Sequence, residues 1–279
     1  MSDFLTLDTG DRIHVDEYGG AAAAGRRPAL VALHGLGGGG YFFAGLGRAQ
    51  AARNRRVICP DLPGSGWSPR GDRPVTLDRC ADAVVELIVR RAAAAGEPVD
   101  LMGHSMGTIV ALKVYARIPG RVRSLIFVGG LPAPLPEVRA RLRDRAALAR
   151  SSGMAAVAPT IIPIVFARRS LDAIPDNVAM FERLLAGSDP EGYAQTAEAL
   201  ADASAADVVA GVRIPCLCVT GTEDRYAPPA AVRAFAGSIP GGRFRELPGC
   251  GHMPFFEAPD AFDRVVDDHR DADARQASP

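Results

Sequence analysis

Neither sign of charge prevails in this sequence, where 32 lysines and arginines stand against 32 aspartates and glutamates. Without a basic excess the chain lacks the electrostatic footprint of a protein that binds nucleic acid or an anionic membrane surface, and neither is expected as a partner. No apolar run is long enough to span a bilayer. The opening "MSDFLTLDTGDRIHV" carries acidic residues and lacks the apolar stretch of an export signal, so a soluble, cytoplasmic protein is expected. Cysteines are few and odd in number: Cys59, Cys80, Cys216, Cys218 and Cys250. That pattern excludes a complete disulfide framework and suits reduced thiols in a core. Cys216-x-Cys218 is too closely spaced for the usual zinc site and has no histidine cluster beside it, so no metal is expected. Trp67 is the only tryptophan.

What is present is an alternation of short apolar runs with longer helical stretches. Phe4 to Leu7 and Arg12 to Val15 flank "DTGD" and read as an opening β-hairpin. The Ala-Gly-rich Gly19 to Arg27 reads as a surface loop. Then follow strand "ALVAL", a helix near Phe42 to Arg53, strand "RVICP", a helix from about Leu77 to Ala95, strand "VDLM", a helix to Arg117 and strand "SLIFV". After a break the pattern resumes with "IPCLCVTG", a helix from Pro229, strand "RFREL" and a last helix from about Pro259. This order predicts an α/β fold, a mainly parallel sheet flanked by helices. Ligands would bind at the carboxyl ends of the strands. From Leu131 to about Gly211 the rhythm stops and the chain is helical and punctuated by breakers. Residues 1–130 and 211–279 are therefore expected to form the core, and 131–210 a helical cap that could act as a lid.

Within "VDLMGHSMGTIVAL" the apolar period changes on either side of Ser105. Val99, Leu101 and Met102 end a buried strand, whereas Ile109, Val110, Leu112 and Val114 recur at helical steps. Ser105 is thus placed at a strand-to-helix turn between Gly103 and Gly107. A serine there is either a nucleophile raised above the sheet, with the Met106 amide free for an oxyanion, or a plain helix N-cap among tight glycines.

A nucleophilic serine needs a base, and the base an orienting acid. Two histidines follow Ser105. His252 lies in the glycine-broken "PGCGHMPF" just after a strand, and His269 in the polar end of the last helix, which makes His252 the better base. "CLCVTGTEDRYAPP" supplies Asp224 as the acid, with Glu223 as a possible substitute. The loop after the earlier strand, "LHGLGGGG", offers Leu36 as a second oxyanion N–H donor beside Met106. Its Gly35-x-Gly37-x-x-Gly40 spacing, with Asp61 ending the next strand, also matches a dinucleotide fingerprint. That rival leaves Ser105, Asp224 and His252 without roles, and Asp61 runs into "LPGSGWS" instead of a ribose-binding turn.

Through "LHGLGG", "DLPGSGWS", "GHSMG", "GTEDRYAPP" and "GHMPFFEAP", in that order, the chain resembles the α/β-hydrolase superfamily over nearly its whole length. The resemblance implies Ser105 as nucleophile, His252 as base, Asp224 as acid and the Leu36 and Met106 amides as oxyanion hole, with no cofactor. It implies a serine hydrolase acting on a small-molecule ester or lactone. C-C bond hydrolysis and a binding or receptor role with negligible turnover stay open. Gly35, His34, Trp67 and Phe166 are expected at the substrate pocket. The apolar "TIIPIVFA", Met154, Met180, Phe181, Leu184 and Leu185 would either line it or dock the cap. The arginines Arg139, Arg141, Arg143, Arg145 and Arg150 would either bind a substrate carboxylate or form a solvated helix face.

Overall fold

The strands are β1 (Ser2–Thr6), β2 (Arg12–Tyr18), β3 (Leu30–Leu33), β4 (Val57–Pro60), β5 (Val99–His104), β6 (Val122–Val128), β7 (Cys216–Gly221) and β8 (Arg243–Leu247). In this computed structural model, which describes residues 1–20, 28–92 and 97–276, they form one sheet in the order β1-β2-β4-β3-β5-β6-β7-β8. β2 runs antiparallel to both neighbours, and every pairing from β4 to β8 is parallel. The central strands β3, β5 and β7 are buried along their whole length, as strands covered on both faces must be, which is why they read as unbroken apolar runs. β8 carries two arginines and a glutamate and is largely accessible, a composition that discourages pairing at an open edge.

The helices are α1 (Ala44–Ala52), α2 (Leu77–Leu87), α3 (Met106–Arg117), α4 (Pro136–Ser152), α5 (Met154–Val165), α6 (Arg168–Ala173), α7 (Pro175–Ala186), α8 (Pro190–Asp202), α9 (Ala206–Val209), α10 (Pro229–Ser238), α11 (Pro254–Glu257) and α12 (Pro259–Gln276). α2 packs on α3, and α1 on α12. The Thr76 hydroxyl accepts the Arg79 amide and starts α2, and Asp189 does the same for α8 with the amides of Glu191 and Gly192. α4 to α9 lie between β6 and β7, where the sequence rhythm breaks. α4 packs along α8, and α5 along α7.

Two details differ from the sequence reading. The helix expected near Phe42 to Arg53 is a tight turn, Gly40–Phe43, running into α1. The short α11 was not anticipated, because four residues show no period. Most of the expected loop Gly19 to Arg27, and the end of the expected helix Leu77 to Ala95, lie outside the described residues. All five cysteines are buried, and burial raises the thiol pKa of Cys59, Cys80, Cys218 and Cys250. Among the described residues no helix is long and apolar enough to cross a membrane.

The amino end of the sheet is tied by charge. Asp100 on β5 is fully buried and accepts from Arg123, Ser124 and, at 2.7 Å, Arg270 of α12. Burial works to raise its pKa, but Arg270 and Arg123 outweigh burial and hold the carboxyl below its ordinary value. Arg270 also bonds Gln50 of α1, which bonds Asp263 and Asp267 of α12. Asp100→Asn leaves two arginines facing an uncharged amide, a loss that costs about 3–5 kcal/mol when a buried pair is broken. Urea unfolding at pH 7 is expected to show that loss. A change below about 1 kcal/mol means that the cations are paired elsewhere.

Candidate active site

β5 ends at His104, the chain turns at Ser105, and α3 begins at Met106. Two glycines permit a turn this tight. A Cβ on Gly103 would stand 2.2 Å from the Gly107 carbonyl oxygen, and one on Gly107 would stand 2.5 Å from that of Leu33. The helix therefore lies against the strands it follows. Ser105 takes φ 53° and ψ −117°, a backbone state that costs a non-glycine residue about 1–3 kcal/mol. Its amide donates to the Val128 carbonyl at 2.8 Å, and its carbonyl accepts the Thr108 amide. The serine is held from both sides, and its side chain does not cap the helix. The plain N-cap reading is thereby removed.

His252 lies between β8 and α11, and Asp224 in the turn after β7. His252 Nδ1–H donates to Asp224 Oδ2 at 2.8 Å. The carboxylate is fully buried and also accepts the amides of Tyr226 and Ala227, each at 2.9 Å, and the Thr220 hydroxyl. The two amides and the imidazole N–H satisfy the buried carboxylate, and Thr220 shares its one hydroxyl proton between it and the Ala227 carbonyl. Glu223 points elsewhere, accepting the Arg168 amide. Between the two candidate acids, only Asp224 meets the histidine. Gly129, at φ 54°, closes the far side, since a Cβ there would stand 2.9 Å from Asp224 Oδ2 and 3.0 Å from His252 Nδ1.

Gly35, Leu36, Ser105, Met106 and His252 border one cavity, about 780 Å³ out to its open mouth. Its walls are mainly apolar, with Ile161 and Val165 from α5, Phe181 and Leu185 from α7, and Leu135 and Val138 near the start of α4. Gly35 passes close enough that a Cβ on it would come within 3.0 Å of Ser105 Cβ. Met106 is the first residue of α3, so its amide has no partner within the helix.

The other expected pocket residues do not border this cavity. His34 is buried beneath the glycine loop, where Nδ1–H donates to the Gly35 carbonyl and Nε2 accepts the Leu62 amide. Phe166 packs on Phe181 behind the wall. Trp67 is 71% exposed, its loop being shaped by the Asp61 carboxylate. That carboxylate also takes the Gly40 amide and the His14 ring, so it is turned into its own loop and away from any ribose. Met180 is exposed and Met154 is buried away from the cavity. Tyr226 and the pair Gly129–Gly130, which the sequence did not single out, border it, and so does Arg145, alone among the five arginines named as carboxylate binders or a solvated face.

The remaining histidines near the site are neutral. Burial lowers the pKa of His34 against the pull of Asp61. It lowers that of His104 well below normal, helped by His252. His104 Nε2–H donates to the His252 carbonyl at 3.0 Å. Among the described residues no three histidine, cysteine or carboxylate side chains group as a metal ion would need.

A profile of the "Alpha/beta hydrolase family" matches residues 30–265. A pimeloyl-[acyl-carrier protein] methyl ester esterase of Chromobacterium violaceum is 29% identical over 90% of this chain and 97% of that protein. A 2-hydroxy-6-oxononadienedioate/2-hydroxy-6-oxononatrienedioate hydrolase of Cupriavidus pinatubonensis is 28% identical over 96% of this chain and 94% of its own. Among solved structures, the enol-lactonase from Burkholderia xenovorans superposes with a TM-score of 0.87 at 28% identity, covering 96% of this chain and 99% of that one.

One consequence can be measured directly. His34, His104 and, near the far end of the sheet, His269, whose pKa burial and Arg243 press down to about 4, stay neutral when folded and take up protons when unfolded. The unfolded chain therefore binds more protons below its ordinary histidine pKa of about 6.5, and each histidine removes up to about 1.4 kcal/mol of stability per pH unit. For His269 the loss runs from about pH 6.5 down to its folded pKa of about 4. The urea midpoint should fall between pH 7 and pH 5, and His269→Asn should remove part of that slope. A midpoint that stays flat over this range contradicts the assignment.

Proposed function

The chain belongs to the alpha/beta hydrolase family, and on that premise we propose that it hydrolyses a carboxylic ester or lactone of a small, largely apolar substrate through an acyl-enzyme. The observation that carries this reading is the convergence of three features on one apolar cavity. Ser105 stands on a strained turn, His252 borders the same cavity, and Asp224 holds the far ring nitrogen. In this reading Ser105 Oγ attacks the acyl carbonyl while His252 Nε2 takes its proton. Asp224 fixes the tautomer and stabilises the imidazolium. The Leu36 and Met106 amides hold the oxyanion, each such donor lowering the barrier by about 3 kcal/mol. His252 then protonates the leaving alkoxide, and water attacks the acyl-enzyme in a second round of the same proton transfers.

Helices α4 to α9 form a lid over this site. Four of them, α4, α5, α7 and α8, contribute apolar wall to the cavity, so substrate size is set by the lid more than by the sheet. The printed activities of the Chromobacterium esterase and the Burkholderia enol-lactonase support the ester and lactone classes. The Cupriavidus relative supports C-C bond hydrolysis as a second reading of the same three side chains. In that reading the bond broken is the one beside a ketone of a vinylogous diketone.

Steady-state assays with p-nitrophenyl esters of increasing acyl length should give turnover that Ser105→Ala abolishes. Absence of turnover in a folded protein, with a vinylogous diketone consumed instead, replaces ester hydrolysis by C-C cleavage. Absence of both leaves a binding role. Asp224→Asn is expected to lower kcat about 10⁴-fold by presenting the wrong histidine tautomer, whereas Glu223→Gln should change it less than about threefold, within what a surface substitution does. Equal losses from the two variants contradict the assignment of the acid.

A further inference from the structure

Of the five arginines along α4, four are spent on the surface or the backbone. Arg143 pairs with Asp202, Arg150 with Glu191 and Glu198, Arg139 donates to the carbonyls of Pro134 and Ala201, and Arg141 is exposed. Arg145 differs. It borders the cavity, where it is the only formally charged side chain besides the histidines among the described residues. No described carboxylate pairs with it. Its guanidinium donates to the Tyr226 hydroxyl at 2.9 Å and, at 3.4 Å, to the Arg141 carbonyl. A guanidinium has five N–H donors, so three remain.

Behind the cavity wall, beside Leu185, a second group is unsatisfied. Tyr193 is 3% exposed, and its hydroxyl has no hydrogen-bond partner. Its ring lies over the glycine loop at Gly37. Burial pushes its pKa up to about 12. A buried hydroxyl without a partner costs about 1–3 kcal/mol. Tyr226 links Arg145 to the reacting end, since its ring lies 5.2 Å from that of His252.

Resting on the ester and lactone reading above, we infer that Arg145 and Tyr226 form an anion subsite that takes a carboxylate at the far end of the substrate's acyl or alkyl chain. One planar cation with donors to spare and the phenol hydroxyl it holds match a planar, singly charged acceptor with two oxygens. The apolar walls of the cavity suit a methylene chain between the two ends. The preferred substrate class is then a hemiester of a short dicarboxylic acid, or a lactone bearing a carboxylate. The subsite binds, and takes no part in the chemical step.

The test compares p-nitrophenyl hydrogen glutarate with p-nitrophenyl valerate, which has the same acyl length and no terminal charge. The wild type should favour the hemiester in kcat/KM. Arg145→Met should lower the hemiester-to-neutral ratio about tenfold or more, mainly through KM. Tyr226→Phe, which removes only the hydroxyl held by Arg145, should lower the ratio in the same direction, and Arg141→Met should leave it unchanged. A wild-type preference for valerate, or a ratio unchanged in both Arg145→Met and Tyr226→Phe, overturns the subsite. If neither ester is turned over, the ester reading fails and the subsite is judged by calorimetric titration with glutarate at pH 7. Binding weakened about tenfold by Arg145→Met supports it, and binding that is absent or indifferent to Arg145 overturns it.

Discussion

The close approach of α3 to β5 at the Gly103–Gly107 contact is the constraint on which the rest depends. A side chain on Gly103 would strike the main chain of α3 at Gly107, and one on Gly107 would strike that of β3 at Leu33; between them Ser105 holds its unfavourable backbone state. About 1–3 kcal/mol of strain at one residue is small beside the burial of the strands around it, and the sheet does not relax to relieve it. The hydroxyl is consequently placed by backbone packing and needs no side-chain bond to hold it.

Electrostatics near the site follow the same economy of motion. Asp224 has its donors in position before any substrate arrives, two of them amides of its own turn and one a hydroxyl of β7. A charge so fixed requires no reorganisation when a neighbouring imidazole becomes positive. His104 and His34 contribute in the opposite sense, since burial keeps both neutral. Their ring N–H groups brace the His252 loop and the glycine loop. The charges of the molecule are thereby sorted: a dense arginine and aspartate network sits near the amino end of β5, and few charges sit at its carboxyl end.

Much of this arrangement was legible because its signals are local. Unbroken apolar runs mark buried parallel strands, and a change of period marks the turn at Ser105. Ser105 and His252, distant in the chain, border one cavity, and Asp224 bonds the His252 ring. The choice between Glu223 and Asp224 was not local, because adjacent acids in a turn differ only in which way each one faces. The pocket walls were less legible still. Ile161, Val165, Phe181 and Leu185 reach the cavity whereas Phe166 and Met180, from the same apolar stretches, do not. That division depends on how α5 and α7 lie over the sheet. Likewise Arg145 is indistinguishable in sequence from its neighbours on α4, and only packing turns it inward. Trp67 and His34 show the reverse error, in which a conspicuous residue near a motif serves the loop and not the cavity.

The main chain around His252 is shared between the sheet and the helical segment. Its amide donates to the Val165 carbonyl at the end of α5. Glu257 grips the amides of Gly251 and Met253 with one oxygen, and the Ala167 amide and Ser170 hydroxyl with the other. The junction of α5 and α6 is thus riveted to the loop that carries the imidazole, whereas α4 and α8 have no such fastening to it among the described hydrogen bonds and α7 has one bond, from Asn177 to the Phe256 carbonyl of α11. A displacement that carried α5 away from the sheet would tear a bond from His252 itself. The placement of α5 and that of the His252 imidazole are thereby coupled through Val165 to Ala167.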